Sequence, residues 1–229
     1  MVSNSSRRRQ PKWAGLPLTV AVLGAGIALN ACRSAPSLRV DADVLNKITI
    51  ENKLLLFDAE NELNIAIDAR DQVVDEIAET KEEMRRTKEK LSVAERDADA
   101  FEDKGDMERA KVSALKARES EARLDFLDAR LDWCRERLKK ERAKLVVAKA
   151  RFELAKAKLV KKNNVPGASD LEIADFEEQV TDYEEDVTDA DADIAEEAAV
   201  VKEREDTWAS ASKALQGATA GALGSRWLQ

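Results

Sequence analysis

Apolar residues recur at alternating steps of three and four through the middle of the chain. Leu124, Leu127, Leu131, Cys134 and Leu138 are followed by Leu145, Ala148, Phe152, Ala155 and Leu159, with Glu141 the one polar entry. A repeat of 3.5 residues places one narrow apolar seam along a helix, and such a seam is buried by wrapping against partner helices. An earlier stripe with the same spacing runs through Leu56, Ala59, Leu63, Ala66, Arg70, Val73, Ile77, Thr80, Met84, Thr87, Leu91, Ala94, Ala98 and Phe101. Its first turns are apolar on more than one face, at Val44-Leu45, Ile48, Ile50 and Leu54-Leu55-Leu56-Phe57. They contact two neighbours at once or dock on something outside the chain. A third stripe starts at Ile173 and continues through Phe176, Val180, Tyr183, Val187, Ala190, Ile194, Glu197, Val201, Arg204, Trp208, Ala211 and Leu215.

Two breaks separate the stripes. At Asp103-Lys104-Gly105-Asp106, Gly105 suits the left-handed position after a helix and Asp106 suits the N-cap of the next. At Asn163-Asn164-Val165-Pro166-Gly167-Ala168, Pro removes a backbone donor and Gly frees the chain to turn. Ser169-Asp170-Leu171-Glu172 then has the spacing of a capping box. The chain therefore reads as all-α, with three long helices over about 43–103, 106–162 and 169–215 in elongated antiparallel coiled-coil hairpins. At ~1.5 Å per residue they would be roughly 90, 85 and 70 Å long. A Gly-containing tail occupies 216–229.

Charge selects one pairing. Residues 135–162 carry twelve basic and three acidic side chains, whereas 170–206 carry seventeen acidic and two basic. A hairpin about Pro166-Gly167 lays these segments side by side. Each exposed pair contributes only a few tenths of a kcal/mol, so their joint effect is on partner choice and orientation.

Composition narrows function further. Charged residues make up 37% and aromatics 4%, which suits long helices with thin seams rather than a compact aromatic core. The chain has no histidine, which removes the commonest general base and zinc ligand. Four basic residues and no acid lie in the first 31 positions; without that segment 34 basic residues face 46 acidic ones, a net charge of −12. So acidic a body repels nucleic acid. No nucleic-acid partner and no small-molecule substrate are expected.

Arg7-Arg8-Arg9 and Lys12 precede an uncharged, mostly apolar run from Trp13 to Ala31, which ends in Leu29-Asn30-Ala31-Cys32. This resembles a bacterial lipoprotein signal peptide, with Leu29 and Ala31 at the branched and small positions of the lipobox. The resemblance implies a signal peptide over 1–31, cleavage after Ala31, and a covalent lipid on Cys32 as the only attached group. A membrane would then be the partner of the N-terminus. An uncleaved membrane anchor is the alternative, since the run has about the ~20 residues a span needs. Ser6 to Lys12 also looks like a twin-arginine export motif, with Gln10 where that motif takes an apolar residue. In lipoproteins of this kind Asp after the cysteine retains the protein at the inner membrane. Arg33 stands there, so the resemblance points to an outer-membrane lipoprotein facing the periplasm. Residues 32–42, with Pro36 and no periodicity, read as a lipidated tether, and 43–215 as the helical body.

Other candidates weigh less. Cys134, the one cysteine besides Cys32, sits on the seam as a small apolar filler rather than as a redox thiol. Asp189, Asp191 and Asp193 resemble the start of a calcium loop, but Ile194 and Val200 stand where the required Gly and Glu belong. Glu184-Glu185-Asp186 would be solvated carboxylates with no cleft to perturb them. Trp208 falls on the third stripe, whereas Trp227 falls off it and is a possible docking point for a partner or lipid headgroups.

These features predict a membrane-anchored structural or scaffolding lipoprotein that spaces or tethers envelope components through an unidentified protein partner, and no enzyme. The alternative is an accessory component of an efflux or export assembly. Residues from Arg151 to about Ala190 resemble the coiled-coil hairpin of periplasmic adaptor proteins, whose tip meets an outer-membrane channel. The corresponding tip here is Asn163, Asn164, Val165, Pro166 and Gly167. Of the adaptors' Arg, Leu and Ser pattern, Ser169 remains, with Lys158 and Lys162 at the other two positions.

Overall fold

The computed structural model describes residues 35–223. Among them every regular element is helical: α1 (Ala42–Leu45), α2 (Ile50–Lys53), a 3-10 turn (Leu54–Leu56), α3 (Phe57–Asp103), α4 (Met107–Lys162) and α5 (Ile173–Leu223). The three long helices run antiparallel in sequence. Both α3 and α5 pack along α4 and scarcely meet each other, so α4 is the shared partner.

Both long turns close by the same hydrogen-bond arithmetic. After α3, the Gly105 amide donates to Glu102 O (2.9 Å) and the Asp106 amide to Phe101 O (2.9 Å), with Gly105 at φ 72°. After α4, the Asn164 amide donates to Lys161 O (3.0 Å) and the Val165 amide to Val160 O (3.1 Å), with Asn164 at φ 49°. This is the Schellman arrangement. It satisfies carbonyls that a helix end orphans, using the two residue types that tolerate a left-handed backbone. Asp106 caps α4 by accepting the Arg109 amide at 3.2 Å.

The α3–α4 seam mixes small side chains with the larger apolar Val73 and Leu127. Val73, Thr80, Thr87 and Ala94 are buried on α3 at intervals of seven, and Ser113, Ser120, Leu127 and Cys134 are buried on α4 at the same intervals. Ion pairs Glu83–Arg123 and Glu76–Arg137 across the seam fix that register. Thr80 and Thr87 donate their hydroxyls to the carbonyls of Glu76 and Glu83 one turn back, both at 2.8 Å, so burial leaves neither donor unpaired. Small residues on a seam let two helices approach closely.

On its other side α4 meets the acidic helix. Val146, Val147 and Ala150 pack with Val180 and Tyr183. Arg151 pairs with Glu184 at 2.6 Å, Lys158 with Glu177 at 2.8 Å, and Lys140 with Asp191. The charge-selected hairpin is therefore the one formed. At its open end Trp208 stacks on Phe126 (5.4 Å between centroids) under the Arg123 guanidinium, and donates to Glu119 Oε1 at 2.6 Å.

The structure revises three boundaries. The first long helix starts at Phe57 rather than near 43; residues 42–56 form two single turns and a 3-10 turn that fold over the α4–α5 turn. The third starts at Ile173, not 169: Ser169 donates its hydroxyl to Asp170 (2.9 Å) and makes no capping box. It continues past 215 through Gly217 and Gly221 to Leu223, because each glycine costs a helix only about 1 kcal/mol.

The stretch 32–42, expected to be a lipidated tether, is bound to the body from Ser37 onward. Gln179 Oε1 accepts the Ser37 hydroxyl (2.7 Å) and the Leu38 amide (2.9 Å), and Glu153 accepts the Val40 amide (2.9 Å). Val40, Ile48 and Leu56 are buried with Ala157, Val160, Val165, Ala168 and Phe176. A Pro-containing segment without periodicity still docks when a few branched apolar side chains are buried and its free amides find acceptors.

Candidate functional surfaces

The α4–α5 tip is partly covered by the protein's own N-terminal segment. Val165 is buried, and the Lys47 ammonium donates to Pro166 O at 2.9 Å. The Asn52 amide donates to Asn163 Oδ1 at 2.9 Å, and a methyl group built on Gly167 would lie 3.5 Å from Val44 Cγ2. Asn163, Asn164, Pro166 and Gly167 remain exposed at the edge. Asn163 is itself occupied in capping, through a hydrogen bond to Leu159 O at 2.8 Å.

Cys134 lies fully buried on the α3–α4 seam between Leu131 and Leu138. Burial pushes its thiol pKa up and the Glu76 carboxylate adds to that, against the smaller opposing pull of Arg137 and Arg130. A protonated, inaccessible thiol is a packing element rather than a nucleophile. Asp189, Asp191 and Asp193 are exposed along α5, and among the described residues no three potential metal ligands converge. Glu184 is half-engaged with Arg151, which also reaches Glu62 on α3 at 3.6 Å; the hydrogen bond to Glu184 raises the Arg151 pKa. Ala31, Cys32 and Trp227 lie outside the described residues.

Because α3 and α5 straddle α4 without closing, an open groove remains between them. Ile65, Ala66 and Ala69 from α3, Val147 and Ala148 from α4, and Val187 from α5 line it, with Arg151, Lys144, Glu62 and Glu184 at its rim.

Among the described residues, exposed large apolar side chains concentrate where α2 runs into α3. Ile50, Leu54, Leu55 and Phe57 are 74, 70, 60 and 67% exposed, while Leu56 between them is buried. The spacing of 50, 54 and 57 puts three of them on one helical face. In sequence this stretch was only apolar on several faces; which face would be left open depends on where the segment docks.

No described helix is long and apolar enough to cross a membrane. No family model matches the chain, and no curated protein or solved structure matches it.

Proposed function

We propose that the protein is a membrane-anchored structural lipoprotein of a bacterial envelope. Its helical body spaces or tethers other envelope components in the periplasm. The observation that carries this reading is α4 held along both sides by α3 and α5. At ~1.5 Å per residue its 56 residues make a strut of about 84 Å. Apolar seams on both sides of α4, crossed by the pairs Glu83–Arg123, Glu76–Arg137, Arg151–Glu184 and Lys158–Glu177, support a single register, and a spacer needs one defined length.

The lipobox-like Leu29-Asn30-Ala31-Cys32 supplies the anchor, and Arg33 after the cysteine favours the outer membrane. The export-assembly reading, which needs a free hairpin tip, loses support from the burial of Val165 beneath the N-terminal segment.

Two measurements test the proposal. Intact-mass analysis of membrane-extracted protein should show a diacylglyceryl group on Cys32, and Cys32→Ala should move the protein to the soluble fraction. Retention of the variant in the membrane overturns the lipid anchor. The spacer role is tested by excising one heptad at the same level from each long helix (residues 74–80, 127–133 and 200–206), which shortens the strut by about 10 Å and preserves the seams. A photoreactive residue at Lys104, the far turn, should capture an envelope component in the parent and lose it in the shortened chain. Capture that is indifferent to length refutes spacing.

A further inference from the structure

We propose that the exposed patch of Ile50, Leu54, Leu55 and Phe57 is a second membrane contact, seated in the headgroup region of the bilayer that carries the Cys32 anchor. The inference rests on the anchor reading and adds to it a defined docking face.

Three observations carry it. The first is size. Ile50, Leu54 and Phe57, each at least 67% exposed, present about 400 Å² of apolar surface on one face, with the 60%-exposed Leu55 next to Leu54; this falls within the roughly 300–600 Å² that the largest patch of a monomer reaches.

The second is placement. Ser37 is held on Gln179 and Val40 on Glu153. The chain then rises to the α4–α5 tip, where Lys47 and Asn52 are bound to Pro166 and Asn163. The patch follows directly, so it lies at that end of the body. Cys32 is five residues before Ser37, a reach of at most about 18 Å. The opposite turn at Gly105 is some 70 Å away along the 47 residues of α3. A lipid on Cys32 therefore keeps this end, and not the other, at the bilayer, where a tethered patch meets the surface at high effective concentration.

The third is the comparison with self-association. Two such faces pressed together would bury about 800 Å², short of the roughly 1,200–2,000 Å² of a stable specific interface. A bilayer sets no such threshold. Acidic Glu51, Asp58 and Glu60 flank the patch along with basic Lys47 and Lys53, so apolar insertion rather than attraction to anionic lipid is the driving term.

The test uses the full lipidated protein reconstituted in phosphatidylcholine vesicles containing a lipid spin-labelled near the headgroup end of its acyl chain. An environment-sensitive fluorophore attached at Leu55→Cys should be quenched, and one at Val93→Cys, an exposed site on mid-α3, should not. Replacing Leu54 and Phe57 by Ser in the labelled protein should abolish the quenching, since each lost apolar side chain lowers the docked-to-undocked ratio about tenfold or more. Equal, weak quenching at both positions overturns the proposal. So does a blue shift at Leu55→Cys that rises with protein concentration and ignores the lipid quencher, which would assign the patch to a second copy. Mass analysis of Cys32 on the same sample reads the anchor separately, so a missing lipid and a missing contact are told apart.

Discussion

Replacing Gln179 by Ala isolates what holds the N-terminal segment against the hairpin. Gln179 is 6% exposed, and its one amide oxygen accepts both the Ser37 hydroxyl and the Leu38 amide. Each such bond is worth about 0.5–1.5 kcal/mol net, so removing the acceptor should weaken docking of residues 37–40 by about 1–3 kcal/mol. Hydrogen-exchange protection across 37–40 should then fall by about 5- to 150-fold.

Global stability should move less. The Gln179 Nε2 is buried without a partner among the described residues, and deleting it removes a desolvation cost of about 1–3 kcal/mol that offsets part of the loss. The assay is hydrogen exchange by mass spectrometry on the full chain in detergent micelles, with tryptic susceptibility after Arg39 as a second readout. Unchanged protection at 37–40 would refute the claim that Gln179 clamps the segment. Equal loosening of α5 around Phe176 to Tyr183 would show a general loss of packing instead.

Leu127→Ala should destabilise the protein by about 2–5 kcal/mol in denaturant titration, because Leu127 is fully buried on the seam, whereas Val93→Ala on the exposed face should stay within about 0.5 kcal/mol. Cys134 should resist thiol reagents until the seam opens, so its labelling rate should track unfolding; rapid labelling of the native protein would contradict its burial. Hydrogen bonds from Arg85 and Arg86 hold the exposed Glu82 carboxyl at about 2, below its ordinary 4.5. Its folded pKa is depressed, so its contribution is full above about 4.5 and fades as pH falls through about 2. The stability difference between wild type and Glu82→Gln should be present at neutral pH and vanish in that acid window.

The seams of this protein are legible as sequence. Each stripe position between Leu56 and Phe101 is buried or half-buried, and the buried Val73, Thr80, Thr87 and Ala94 fall on it at heptad steps. Gly105 marks a left-handed turn and Gly167 lies in the other, where the structure adds Asn164 as a second left-handed residue. The charge contrast between α4 and α5 names their pairing. All of these depend on periodicity, backbone sterics or net charge, which are local or additive and survive without coordinates.

What required tertiary structure was any residue whose role depends on a second neighbour. Val146, Val147 and Ala148 are buried in succession, which no single seam predicts, because α4 is covered from two sides at once. The segment from Ser37 to Leu56 has no period, so only its docking on Gln179, Glu153 and the α4–α5 tip separates the buried Val40, Ile48 and Leu56 from the exposed Ile50, Leu54, Leu55 and Phe57. Hydrophobicity alone does not tell the seven apart. The limited surface of the hairpin tip accommodates three of them and leaves four facing outward.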